Sequence, residues 1–195
     1  DKATVPILYE SRLAKLDANS PFDLVYNPHV KGFIELYAVR KRELVSRMMG
    51  LSQLYYPMFE DVFYKHNIPL ELKHLAVIES ALNPNARSRC GATGLWQFMY
   101  PTGKMYGLNV NSYIDERSDV YKATEAAAEY LKSLYSMFGD WQMVLAAYNA
   151  GPGTISKAIR RSGGKKTYWE IRPYLPLDRR RACSTPCLPA TPAAC

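Results

Sequence analysis

Apolar residues return at intervals of three and four along most of this chain, and alternation of period two is nearly absent. That pattern suits amphipathic helices and leaves no signal for a sheet, so the fold class is all-α. Phe33, Leu36, Tyr37, Leu44, Val45, Met48 and Met49 share one helical face from His29 onward. Residues 54–64 predict a second helix, and Asn67 to Pro69 supply the turn and proline that start a third over about 70–82. Asn83-Pro84 should end it, because proline disfavours the helical conformation in the residue before it. A loop of Asn, Arg, Ser and Gly follows, then a short helix from about Leu95. Arg117-Ser118-Asp119 opens a long helix that stops before Gly139, and further helices are expected over 141–149, 154–161 and 168–174. No internal repeat of useful length is present.

Three regions follow. Residues 1–28 carry Pro6, Pro21 and Pro28 and are expected as an extended arm; residues 29–178 form the helical domain. From Arg179 the sequence loses its aromatic and helical character, and its three prolines cannot belong to a helix interior. The tail 179–195 is expected to be disordered or weakly docked, and its abrupt composition suggests a segment foreign to the fold.

With 195 residues, 48% apolar and 22% charged, the chain can bury a core of its own. The net charge of +7 favours an anionic partner or serves ordinary solubility. A nucleic-acid partner is not expected: Lys31, Arg40, Lys41, Arg42 and Arg47 are spread around their helix, where a binder would gather them on one face. No stretch has the ~20 apolar residues of a membrane span. Cys90 is alone in the body of the chain, Cys183, Cys187 and Cys195 crowd the tail, and His29, His66 and His74 are scattered. No zinc spacing results, so neither metal nor cofactor is expected.

The most informative residue is Glu79. Leu72, Leu75, Ala76 and Glu79 fall at i, i+3, i+4 and i+7 on one inward stripe, and Val77 and Ile78 opposite suggest a helix buried on most sides. A carboxylate on that stripe loses hydration, and it sits in the last helical turn, where the helix dipole disfavours negative charge. Both effects raise its pKa and suit a general acid. The alternative is a structural glutamate paired with a buried arginine or capping backbone. Small and polar residues just downstream (Ser80, Asn83, Ser88 and the run from Gly91 to Gln97) suggest a groove floor instead. Most glycosidases use two carboxylates. Here Asp115, Glu116, Asp119 and Asp140 occupy turn or helix-start positions that favour acids as caps, so one strong acid stands without a clear second.

These residues also carry a likeness. Glu79-Ser80, Ser88 nine residues after the glutamate, Gln97 eighteen after it within Gly91-Ala-Thr-Gly94-Leu95-Trp96-Gln97, and Ala147-Tyr148-Asn149-Ala150-Gly151 together resemble the soluble-lytic-transglycosylase family. The resemblance runs from about Ile68 to Pro176. The Trp of Gly-Leu-Trp-Gln and the Tyr-Trp-Glu-Ile-Arg-Pro-Tyr-Leu-Pro segment look most like its membrane-bound type D subgroup. It implies a goose-lysozyme-like helical fold with a long sugar groove. It also implies that Glu79 acts as acid and then base in the non-hydrolytic cleavage of peptidoglycan glycan strands, giving 1,6-anhydromuramoyl ends. Ser80 and Ser88 would flank the glutamate and substrate, Gln97 would bond a sugar near the cleaved bond, and Tyr148 and Asn149 would line the opposite side. Tyr148 suits a core position equally well, and of Trp96, Tyr100 and Tyr106 at least one should be packing rather than a sugar platform.

The resemblance further implies a periplasmic, outer-membrane-anchored protein, with the lipid anchor upstream of Asp1, and a monomer. The rival readings are a lysozyme-type muramidase with a second acid, and an inactive peptidoglycan-binding domain. One departure stands out: by the resemblance Asp178 would stand at the family's acidic position after Leu-Pro, but the sequence from Arg179 onward does not resemble the supporting helix expected there.

Overall fold

The structure, a computed structural model, describes residues 4–22, 24 and 26–176. The tail 179–195, with Cys183, Cys187 and Cys195, lies outside the described residues, as does Asp178. Among the described residues there is no strand, only three isolated bridges, Arg87 with Thr93, Thr93 with Phe98 and Val110 with Asp115. The all-α reading holds.

The chain divides into two compact units, Asp1–Leu51 and a second from Ser52 onward, so the boundary expected at residue 29 falls inside the first. In the first unit, α1 (Thr4–Asp17) replaces the expected extended arm. Pro6 lies in its first turn, where a missing N–H removes no helical bond. α2 (Pro28–Glu35) begins with proline at its first position and passes into a π-helical turn, Leu36–Arg40. α3 (Arg42–Lys65) then runs on through Gly50 and Pro57. The break expected near residue 50 is therefore at Lys41, whose N–H reaches the Leu36 carbonyl at 2.9 Å. A five-residue hydrogen bond of this kind ends the regular ladder locally.

In the second unit, α3 closes with Asn67 left-handed at φ 55°. Its N–H bonds the Tyr64 carbonyl and that of Ile68 bonds Phe63, which satisfies the last carbonyls of the helix. The third expected helix is shorter than its pattern: a 3-10 turn, Leu70–His74, leads into α4 (Leu75–Ser80). α5 (Tyr100–Met105) starts five residues later than expected, because Gln97 at φ 49° cannot continue a helix. A 3-10 turn, Glu116–Ser118, precedes α6 (Val120–Phe138), which Asp119 caps by accepting from Lys122 N–H and Gly139 ends in the left-handed region. α7 (Trp141–Ala150), capped by Asp140, and α8 (Pro152–Arg161) meet at Gly151. α9 (Tyr168–Ile171) and a last 3-10 turn, Arg172–Tyr174, complete the described chain.

The core of this unit lies where α6 packs on α7 and α7 on α8. Ala126, Ala127 and Ala147 let the helices approach closely, and Leu131, Leu134, Met143, Val144 and Ile155 fill the space between. Trp96 is fully buried, its ring between Phe59 at 5.0 Å and Phe63 at 5.6 Å, with its indole N–H on Thr124 Oγ1. Such an indole is a packing residue, not a sugar platform.

Candidate active site

The stripe read from the sequence is buried as a unit: Leu72, Leu75 and Ala76 are in the core, and Glu79 beside them is 8% exposed. The rest of the expectation needs correction. Ile78 is 43% exposed and Val77 half-buried, so α4 is covered on one face rather than most. A helix of six residues has too little length to be enclosed by its neighbours. Loss of hydration pushes the Glu79 carboxyl up to about 7. Burial suffices to explain the shift, without the helix-end effect.

Among the described residues Glu79 has no hydrogen-bond or ion-pair partner, and its oxygens are not sealed from solvent. This rules out the structural alternative, in which a buried arginine would hold it, within the described residues. The carboxyl sits at an opening, partly protonated near neutrality.

The backbone on either side of this opening is forced. Ala81 at φ 53° and Leu82 at φ 61° end α4, and Gln97 at φ 49° lies across from them. Left-handed residues with side chains cost stability and persist only where packing over-determines them; such strain gathers at functional sites. Leu82, fully buried, supplies that packing, and its N–H closes the helix on the Ala76 carbonyl at 3.3 Å.

The turn from Gly94 to Gln97 forms the second wall, and the carbonyls of Gly94, Leu95 and Trp96 are each taken by a side chain. The Gln97 amide nitrogen donates to Gly94 O at 2.9 Å and to Ala86 O at 3.2 Å. The Ser80 hydroxyl is within 2.9 Å of Leu95 O and 3.0 Å of Ala76 O, and the Tyr148 hydroxyl donates to Trp96 O at 2.7 Å. Ser80, buried and turned to backbone, thus braces α4 against the turn. Ser88 accepts from Ala92 N–H at 3.0 Å inside the preceding loop and keeps its own proton to donate. Tyr148 is close enough to Glu79 that, after burial, the carboxylate charge raises its hydroxyl well above the ordinary value. Asn149 follows it on α7, half-buried.

Two features escaped the sequence reading. Arg117 is buried and donates to Gly91 O and Phe98 O at 3.0 and 3.1 Å, while its guanidinium grips Asp115 through two bonds of 2.8 and 2.7 Å. It pins both ends of the Gly91–Phe98 loop. Gly94 lies against it: a Cβ there would stand 1.8 Å from Arg117 O, and its φ is +87°. The second feature is a tyrosine row. Tyr130 on α6 packs 5.1 Å from Tyr106 and 5.2 Å from Tyr148, and burial pushes its hydroxyl up to about 12. Tyr130 falls within an α6 pattern that already accounts for itself as packing, so nothing in the sequence marked it. Arg117 was legible only as the start of a helix.

The four other candidate acids are occupied. Asp115 is held low by the Arg117 side chain, Glu116 by Lys122 and the Asn109 N–H, and Asp119 and Asp140 accept from Lys122 N and Met143 N. Asp115, Asp119 and Asp140 serve as the caps expected of them, while Glu116 pairs with Lys122 instead.

Residues 60–171 match the transglycosylase SLT domain. The chain is 42% identical over 111 residues to membrane-bound lytic murein transglycosylase D of Escherichia coli, a span of 55% of this chain and 25% of that protein. It is 31% identical over 140 residues to membrane-bound lytic murein transglycosylase F of Shewanella pealeana, covering 64% of this chain and 28% of the relative. The 70 kDa soluble lytic transglycosylase SLT70 of Escherichia coli superposes with a TM-score of 0.57 at 28% identity, over 67% of this chain and 22% of that one. The chain thus spans about a quarter of the length of these relatives.

Proposed function

This chain belongs to the transglycosylase SLT domain family, and we propose that it is a peptidoglycan lytic transglycosylase in which Glu79 acts as general acid and then general base. The observation that carries the reading is a buried, unpaired carboxyl pushed up to about 7, with the four other candidate acids already engaged. Such a group is protonated often enough to donate, and ionised easily enough to accept, at the same pH. The lytic murein transglycosylases among its relatives supply the substrate class.

In the proposed reaction, the Glu79 carboxyl donates its proton to the oxygen between N-acetylmuramic acid C1 and N-acetylglucosamine C4, and the bond from C1 to that oxygen breaks. The muramoyl 6-hydroxyl then bonds to C1 of its own ring, and the Glu79 carboxylate takes the hydroxyl proton. Glu79 ends as it began, no water is consumed, and the product is a 1,6-anhydromuramoyl end. The intramolecular hydroxyl supplies the nucleophile at high effective concentration, so a second carboxylate has no task.

The surrounding groups fit supporting roles. The Gln97 amide nitrogen is committed to backbone, which leaves its oxygen to accept from a sugar N–H or O–H. The Tyr148 proton is committed to Trp96 O, so its oxygen can only accept. Ser88 has a proton to donate, and Asn149 would line the groove beside Tyr148. Ser80 would act through the turn it braces. We assign the protein to the periplasm as a membrane-associated enzyme, anchored at the outer membrane by a lipid upstream of the sequence and acting as a monomer.

The test is mass spectrometry of muropeptides released from purified peptidoglycan by the chain and by Glu79→Gln. Anhydro ends from the first and none from the second are expected. Reducing ends would turn the reading to a hydrolase with a second acid, and no release by either would favour a binding domain.

A further inference from the structure

A cavity of about 490 Å³ opens among His66, Ile68, Pro69, Lys132, Tyr135 and Trp141. No residue of the Glu79 site lines it. On α6 it takes the side turned away from that site: Tyr135 lies about 140° and Lys132 about 200° around the helix from Tyr130, at about 100° per residue. Its size falls within the range of about 300 to 1,000 Å³ typical of small-molecule sites.

The lining is a built surface. Trp141, the first residue of α7, stacks on Tyr135 from the end of α6, with ring centroids 4.2 Å apart and planes 22° from parallel. Each ring holds the other, so the aromatic wall is rigid. Ile68 and Pro69, just past the end of α3, form apolar lining too. At the rim, the His66 Nε2 is bonded to Glu125 Oε2 at 2.8 Å and is committed. Lys132 is not: it is exposed and, among the described residues, has no ion-pair, hydrogen-bond or aromatic partner.

We propose that this groove is a second carbohydrate subsite, which lays a pyranose ring against Trp141 and sets the ring's carboxylate substituent at Lys132. The proposal rests on the peptidoglycan reading above. A fixed aromatic ring fits a pyranose because the axial C–H face of the sugar is apolar while its edge is polar. An unpaired ammonium at the rim selects a sugar that bears an acid, as a muramoyl unit does through its lactyl group where no stem peptide is attached to it. Held there, a neighbouring peptide-free stretch of the insoluble polymer keeps the enzyme at its substrate between turnovers, as in any bivalent attachment.

The test is NMR titration of isotope-labelled Glu79→Gln protein with three probes. These are N-acetylglucosaminyl-N-acetylmuramic acid, N,N′-diacetylchitobiose (similar rings without the acid), and an alanyl-glutamyl peptide without sugar. The acidic disaccharide should shift the signals of Lys132, Tyr135 and the Trp141 indole, with an affinity at least about fivefold above that of the uncharged one. Lys132→Glu, a surface change that leaves the fold intact, should remove that advantage. Shifts confined to Gln97 and Tyr148 would overturn the proposal, as would equal shifts from the uncharged disaccharide or from the peptide alone. The anhydro-product assay scores the catalytic reading separately, so anhydro products with a silent groove sink the second subsite and nothing else.

Discussion

The hydroxyl of Tyr148 donates to the carbonyl of Trp96 at 2.7 Å, joining α7 to the turn after α4 across 52 positions of sequence. Through that bond a residue of the Ala-Tyr-Asn-Ala-Gly segment holds the turn that carries Gln97, while Ser80 holds it from α4. The opening beside Glu79 is thus fixed from both sides by bonds to one four-residue turn.

Tyr148→Phe should keep the ring and remove the bond. The phenylalanine would leave Trp96 O without its side-chain donor, at a cost of about 1–3 kcal/mol. Urea denaturation should show that loss, and release of soluble muropeptides should fall by at least about tenfold, since a displacement of ~1 Å in positioning groups has effects of this order and larger.

Glu79→Gln should abolish anhydromuropeptide release, with a loss of at least about 100-fold for removing a general acid–base group. It should not unfold the protein, because the amide is isosteric and no partner among the described residues is left behind.

Stability should carry the signature of the same group. The folded carboxyl titrates at about 7 against an ordinary 4.5, so between these values the native state holds more proton than the unfolded chain. Stability therefore falls as pH rises through that window, by about 3 kcal/mol at about 1.4 kcal/mol for each tenfold change. Glu79→Gln should lack this fall. The Tm of the variant relative to the parent should rise from pH 5 to pH 8, and an unchanged difference would sink the assignment. The same ionisation should close the alkaline limb of kcat/KM near pH 7.

Gly94→Ala and Gly91→Ala form a matched pair. Both positions have positive φ, +87° and +85°, but a Cβ at Gly91 meets open space and one at Gly94 meets Arg117 O at 1.8 Å. The first change should cost about 1–2 kcal/mol for the left-handed backbone alone. The second must move the Arg117 backbone and should cost more than about 4 kcal/mol or prevent folding. Chemical denaturation of the two side by side separates strain from collision.

Arg117→Lys keeps the charge but cannot reproduce a bidentate grip on Asp115 together with bonds to Gly91 O and Phe98 O. A loss of about 3–5 kcal/mol is expected, as for breaking a buried pair. Asp115→Asn, at a half-exposed acid, should cost less. Equal losses would mean that the loop does not depend on the guanidinium.

What the amino-acid order determined by itself was whatever depends on neighbours in sequence. Period 3.6 and the near absence of period two set an all-α fold. Asp119 and Asp140 announced the starts of α6 and α7, because a cap acts over three residues, and Gly139 announced the end of α6. The stripe from Leu72 to Glu79 marked a carboxyl that would lose its water, and the burial of Glu79 follows that stripe. The family resemblance, too, was a matter of spacing along the chain.

Only the tertiary structure decided the rest. The extended arm became α1 because proline in a first helical turn carries no penalty, a point on which the three N-terminal prolines were ambiguous. Ile78 proved exposed, since the depth of a helix depends on what covers it and not on its own hydropathy. Ser80 beside the glutamate turned out to bond backbone, and Trp96 beside Gln97 to fill the core, because neighbours in sequence at a left-handed turn point different ways. Arg117, Tyr130 and the groove at Trp141 draw on segments tens of residues apart. Their contacts are set by which helices pack together, and local periodicity carries no record of that.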